Sequence, residues 1–157
     1  MSIKYNNRII TQAEMNTLLQ MQESWLIEKK GKDIKPAKLT KTISAFANTN
    51  GGDIYLGISN EENKNSYNWD GFDCEEKMNQ HIDVITAMFD SYDDFSLETY
   101  QCENVGSFVL HVVVHKTQKI VYASDSKAYV RHGVQNLPCD NDEKLMRLRL
   151  DKGLPQN

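Results

Sequence analysis

Cysteine, proline and long apolar runs are what this 157-residue chain has least of. Its three cysteines, Cys74, Cys102 and Cys139, stand far apart, are odd in number and contain no Cys-x-x-Cys. That argues against a disulfide framework or a structural zinc site and leaves each thiol expected as a small buried apolar group. The four histidines show no metal-ligand spacing. His111 and His115 are four apart, but in a valine-rich strand, where that interval does not converge as it does on a helix. No run approaches the roughly 18 apolar residues of a membrane helix. Met1-Ser-Ile-Lys-Tyr-Asn-Asn-Arg8 is polar where a signal peptide places its apolar stretch. The expected location is the cytoplasm, with no membrane partner. Internal repeats and low-complexity tracts are absent.

What is present is ordinary for one globular domain: 39% apolar and 25% charged residues, in a chain long enough to bury a core. The net charge of −4 is unevenly spread. Residues 1–60 carry eight Lys/Arg against five Asp/Glu, residues 61–103 two against twelve, and residues 104–157 eight against five. An acidic middle between basic ends can build a local basic face for nucleic acid, or simply solvated surfaces of mixed sign.

Thr11-x-x-Glu14 is a capping box opening a short amphipathic helix over 12–21. Trp25-Leu-Ile-Glu-Lys-Lys30 alternates as a strand, with Trp25, Ile27 and Lys29 on one side and Leu26, Glu28 and Lys30 on the other. Pro36 starts a helix whose Leu39, Ile43, Phe46 and Ala47 share a face, and Asn50-Gly51-Gly52 stops it. Asp53–Ser59 is a strand, and residues 60–72 are a polar loop or short hairpin. Asp73-x-x-Glu76 caps a third helix, with Met78, Ile82, Ile85, Met88 and Phe89 in period. Phe95–Cys102 and Phe108–His115 form an antiparallel hairpin, and Lys119–Ala123 with Lys127–His132 a second. Asp140-x-x-Glu143 caps a last helix. The fold class predicted is α+β, with a mixed or antiparallel sheet and about four helices, in one domain spanning 1–157 with its core at about 10–150. The tail, Asp151-Lys-Gly-Leu-Pro-Gln-Asn157, reads either as a natural end or as the point where a longer chain continues.

The chemistry concentrates between Glu23 and Asn60. Glu28 and Lys30, two apart on a strand, share a face, which is the Glu-x-Lys spacing of many metal-dependent nucleases; Glu23 is expected in the preceding turn, bent back toward Glu28. Lys29, Lys30, Lys32, Lys35, Lys38 and Lys41 crowd thirteen residues opposed only by Asp33. Such a cluster beside two acids suits a phosphate backbone, or is a solvated lysine face. Arg131, in a strand with Tyr129, could add a phosphate contact or a surface ion pair. Trp25 and Tyr55 are expected in the core. ATP is not expected: Gly51-Gly52 closes a helix C-terminus, where the dipole repels phosphate, and no Gly-x-x-x-x-Gly-Lys-Ser/Thr is present.

Glu23-Ser-x-x-x-Glu28-x-Lys30, Ser44-Ala-Phe-Ala-Asn-Thr-x-Gly-Gly52 and Ile54-x-Leu-Gly-Ile58, followed by Val112-Val-Val-His-Lys116 and Ala128-Tyr-Val-Arg-His-Gly133, resemble the Schlafen AlbA-like domain over about residues 10–150. The resemblance implies one of two functions. The first is metal-dependent endoribonuclease activity on structured RNA such as transfer RNA. There Glu23 and Glu28 match the first two acids of a three-carboxylate Mg²⁺ or Mn²⁺ site, Lys30 matches the accompanying lysine, and Asn60 stands where the third acid falls. Glu61 or Glu62 could substitute for it. The second is a non-catalytic nucleic-acid-binding or sensor module of a larger transcription-regulator or phage-defence protein. Partners implied are nucleic acid, RNA more than DNA, and either a second copy of the chain or further domains.

Overall fold

The reciprocal cap expected at Thr11 forms: its hydroxyl accepts from Glu14 N at 3.1 Å while the Glu14 carboxylate accepts from Thr11 N at 3.2 Å. In the computed structural model, which describes residues 5–60 and 66–155, this cap opens α1 (Gln12–Gln20). The other helices are α2 (Pro36–Asn48), α3 (Glu75–Ala87) and α4 (Asp142–Asp151). The strands are β1 (Asn6–Ile10), β2 (Ile27–Lys30), β3 (Gly52–Leu56), β4 (Ile58–Asn60), β5 (Tyr67–Trp69), β6 (Phe95–Cys102), β7 (Phe108–Val114), β8 (Tyr129–His132) and β9 (Gln135–Pro138). None of these helices is long and apolar enough to cross a membrane.

Five strands form one mixed sheet in the order β1-β6-β7-β3-β2. The two edge strands pair parallel with their neighbours, and β6–β7 and β7–β3 are antiparallel. The α+β class predicted above is therefore correct. One face buries Ile54, Leu56, Leu110 and Val112 against Leu39, Ile43 and Phe46 of α2 and Met78, Ile82 and Ile85 of α3. Each such side chain contributes about 1.5–3 kcal/mol when fully buried. The other face packs Tyr55, Tyr100 and Val109 against Met15, Leu18 and Leu19 of α1. There His111 bonds Asp53 at 2.7 Å and Tyr100 at 2.9 Å, and His115 is exposed, so the two histidines do not converge.

The turn from α2 into β3 needs its glycines. Gly51 takes φ +74°, and a Cβ there would meet Val114 O at 2.6 Å. A Cβ on Gly52 would lie 2.9 Å from the Phe46 ring.

Several boundaries differ from expectation. β1 was not anticipated, because four of its five residues are exposed; ladder bonds to β6, not burial, hold it. The second predicted hairpin reduces to a turn and a single bridge, Tyr122 to Ala128, and β8 pairs instead with β9. The reason lies on α2, where Thr40, Ser44 and Asn48, four apart, form a polar stripe. Asn48 Nδ2 donates to Val121 O at 2.9 Å and Tyr129 O at 3.0 Å, and its Oδ1 accepts from Val121 N at 2.9 Å. Ser44 donates to Val121 O and accepts from Tyr129 N, and Thr40 accepts from Ser124 N. The helix thus takes the backbone groups a second strand would have used. The N-caps of α3 and α4 fall one residue later than predicted, at Cys74 and Asn141. Asp73 and Asp140 instead pair with Lys77 and Lys144, in each case one turn on. Cys102 and Cys139 are buried as expected, whereas Cys74 is exposed.

Asn48→Ala would leave Val121 N and Tyr129 O without their side-chain partner, while Val121 O keeps its bond from Ser44. We expect a loss of about 2 kcal/mol at roughly 1 kcal/mol or more per unsatisfied group, read from urea unfolding midpoints at unchanged m-value.

Candidate functional site

β2 is an edge strand, so its outer ladder groups need partners other than a strand. A tight turn supplies them: Ser24 N donates to Ile27 O at 3.0 Å, and the Glu23 carboxyl, brought back by that turn, accepts from Lys29 N at 3.3 Å. In register, Glu28 lies beside Ile54 and Lys30 beside Leu56, so both side chains share the α2 face of the sheet, as their spacing predicts. Ile27 and Lys29 take the α1 face.

Glu28 is buried between two cations. Its Oε1 is 2.9 Å from Lys30 Nζ, and its Oε2 is 3.0 Å from Arg131 Nη2. Arg131, itself only 3% exposed, also donates to Ser24 O at 2.8 Å and Asn136 Oδ1 at 2.8 Å, and its guanidinium covers the Phe46 ring. Burial alone would push the Glu28 carboxyl up. Hydrogen bonding with Glu23, the Lys30 ammonium and the Arg131 guanidinium outweigh it and hold Glu28 below the usual carboxylate range. Glu23 goes the other way. Burial first, then the hydrogen bond and charge of Glu28, raise it to about 7, against the opposing Lys29 N–H and Lys30 charge. The two acids expected to meet do meet, close enough to share a proton. Tyr67, which sequence reasoning did not single out, lies against Glu23, and its hydroxyl is raised chiefly by burial and by that charge.

The lysines divide. Lys29 is 4% exposed: its ammonium donates to Leu18 O at 2.6 Å and to Met21 O at the end of α1, and stacks 3.9 Å over the Tyr67 ring. Burial, offset in part by Glu23, lowers its pKa to about 8. Lys29 and Arg131 therefore present no open cation to a phosphate, a correction to the phosphate-contact role the sequence suggested. Lys30, Lys35 and Lys38 instead line one groove of about 640 Å³ with Asp33, Ser59 and Asp70. Lys32 reaches Asp70 at 3.7 Å, and Lys41 lies 5.8 Å over the Tyr129 ring. Trp25, expected in the core, is 47% exposed because β2 begins only at Ile27, whereas Tyr55 is buried as expected.

Asn60 ends β4 opposite Tyr67 and carries no charge. Glu61 and Glu62 lie outside the described residues. Among the described residues no three His, Cys, Asp or Glu side chains gather as a metal cage. Two touching carboxyls fit a different kind of ion, one that keeps its waters and takes one or two carboxylates together with substrate phosphate, as Mg²⁺ does.

A sequence profile of the Schlafen, AlbA_2 family matches residues 23–140, which include the acid pair, the α2–β3 turn and β8. The chain belongs to that family. Membership in the Schlafen, AlbA_2 family points to a nucleic-acid-binding domain. No curated protein sequence matches the chain. Among solved structures, the DIP2311 protein from Corynebacterium diphtheriae shares the fold at TM-score 0.56 and 19% identity, over 78% of this chain. The chain spans 26% of that protein's length. The Schlafen match explains why Ala-Phe-Ala-Asn-Thr-x-Gly-Gly stands out as a run: Phe46 carries Arg131 and abuts Gly52, while Asn48 ties down the segment leading into β8.

Two measurements follow. A carboxyl raised to about 7 in the fold, against an ordinary 4.5, favours the folded state most below 4.5, and that advantage is lost as pH rises toward 7. Stability followed by urea unfolding should therefore decline over that window, and Glu23→Gln should flatten the decline. Arg131→Met leaves Glu28 buried beside one half-exposed cation; we expect a loss of about 3–5 kcal/mol, partly recovered when Glu28→Gln is added.

Proposed function

We propose that this domain binds RNA along the Lys30–Lys35–Lys38 groove and cleaves it as a metal-dependent endoribonuclease at the Glu23–Glu28–Lys30 cluster. The observation that carries this reading is the junction of the two: Lys30 both lines the groove and touches Glu28 at 2.9 Å. Lys30 is the partly open cation of the cluster, placed to face the charge that grows on a scissile phosphate. Lys35 and Lys38 hold neighbouring phosphates, and Lys32 and Lys41 flank them. Glu23, with its pKa near 7, can hold or release a proton at neutral pH. Its carboxylate and that of Glu28, with the Asn60 amide oxygen, would hold Mg²⁺ or Mn²⁺, which when bound supplies Lewis-acid stabilisation of phosphoryl oxygens. Structured RNA such as transfer RNA is the substrate class favoured.

A second reading is favoured by one specific observation. Both Glu28 oxygens are already engaged by cations inside the protein, as suits a binding or sensor module of a larger transcription-regulator or defence protein. The test is incubation of transfer RNA with purified protein and Mn²⁺ across pH 5.5–8.5. Cleavage is expected to rise through about pH 7 as Glu23 ionises, and to be lost in Glu23→Gln, Glu28→Gln and Lys30→Ala. Cleavage that survives Glu28→Gln and Lys30→Ala rejects the assignment. Binding without cleavage selects the second reading. In either case Lys35→Ala/Lys38→Ala should reduce the slope of log affinity against log salt by about 1.4, at ~0.7 per single-strand phosphate contact.

A further inference from the structure

We propose that Trp25, flanked by His132, is a stacking platform for an unpaired nucleobase, so that the preferred ligand is single-stranded or looped RNA. This rests on the nucleic-acid reading above. The indole is 47% exposed and, among the described residues, belongs to none of the hydrophobic clusters. An amphipathic ring of that size usually finds cover. Among the described residues its aromatic neighbour is the exposed His132 ring, edge-on at 5.2 Å and 70°.

The platform is held rigidly, although it sits in a turn. Arg131 Nη2 donates to Ser24 O at 2.8 Å and Ile27 O at 3.3 Å, one on each side of Trp25, and Leu26 O accepts from Asp53 N at 2.8 Å. The guanidinium that neutralises Glu28 thus also fixes the backbone under the indole, and the next residue along β8, His132, meets its ring. A surface ordered in advance loses little freedom on binding.

Its position selects the occupant. Trp25 lies between Glu23 and Glu28 in the chain, and the Arg131 guanidinium that pairs with Glu28 also holds the carbonyls on either side of it, while Lys30 joins Glu28 to the lysine groove. A strand whose phosphates follow Lys35, Lys38 and Lys30 to the carboxyls would offer a neighbouring base to the indole. Every base has a π-face, so stacking tolerates any sequence, and it requires that the base be unpaired. A protein partner fits less well. Such interfaces bury about 800 Å² per side, whereas the exposed large apolar side chains of this turn are Trp25 and Leu26 alone.

The experiment is fluorescence anisotropy of a short single-stranded RNA and of its duplex at several salt concentrations. It compares wild type, Trp25→Ala, Trp25→Phe and Lys35→Ala/Lys38→Ala, with thermal melting to confirm folding. Trp25→Ala should weaken single-strand binding about tenfold, leave the salt slope and duplex affinity unchanged, and be largely rescued by Trp25→Phe. Binding should also quench indole emission in wild type and not in Trp25→Phe, since Trp69 is half-buried with its Nε1 directed at Ser107 O. Wild-type affinity in Trp25→Ala, with weakened binding in the double lysine variant, overturns the platform and keeps the nucleic-acid reading. Trp25→Ala that turns a dimer into a monomer without changing RNA affinity makes the indole a contact between copies, which also overturns it. Absence of RNA binding in wild type overturns both.

Discussion

The burial of the Glu28 carboxylate against Arg131 is the constraint on which the rest of the site depends. One carboxylate in a dry place costs several kcal/mol unless paired and hydrogen-bonded. The fold meets that cost by bringing β8 from far down the chain to the edge strand β2, 103 residues apart in sequence. Arg131 then does three things with one side chain: it neutralises Glu28, fixes the turn at Ser24 and Ile27, and roofs Phe46. The polar stripe of α2 serves the same end. Asn48 and Ser44 bind the backbone at Tyr129, two residues before Arg131, and Thr49 Oγ1 accepts from Arg131 N at 2.8 Å. An edge strand with half its ladder unpaired is thereby closed without a further strand.

A half-buried cation follows the same logic near the C-terminal end of the described residues. Lys152 Nζ donates to Thr117 O at 2.7 Å, Lys119 O at 3.0 Å and Ala47 O at 3.2 Å, and its burial lowers its pKa to about 8. Like Lys29, it is a lysine used as a polar staple between carbonyls, not as a surface charge. Counting lysines along the chain therefore overstates the charge offered to a ligand. What remains outward is the smaller set around the groove of Lys30, Lys35 and Lys38.

Legibility in the sequence divides along the same line. Features that depend on residues a few positions apart could be read directly. The Thr11–Glu14 cap, the α2 face, the left-handed stop at Gly51 and the shared face of Glu28 and Lys30 all follow from local periods and glycine chemistry. The meeting of Glu23 with Glu28 followed from asking where a turn would send the first acid. Features that depend on distant partners could not be read. Nothing in the local pattern says that Lys29 will find the carbonyls ending α1, or that Arg131 will turn inward to Glu28. Trp25 was misplaced because strand alternation was extended two residues past the point where the chain leaves the ladder. β1 escaped because its strand character comes from hydrogen bonds to β6 and not from its own apolar content.

The opposed carboxyls carry the remaining step. Burial first, and then the bond and charge of Glu28, push Glu23 up, while hydrogen bonding with Glu23, Lys30 and Arg131 hold Glu28 down. Lys30 and Arg131 claim Glu28, and Glu23 keeps its proton to about pH 7. That proton is the most weakly held positive charge in the cluster. Lys30 and Arg131 are covalently part of the fold, but a proton near its pKa exchanges freely with solvent at neutral pH. On the function proposed above, an incoming cation would displace that proton from Glu23 and meet Glu28 with Lys30 and Arg131 still at its oxygens. Both glutamates also hold the edge of the sheet, Glu28 through Arg131 and Glu23 through Lys29 N, so the ion would bind where the fold is already fastened.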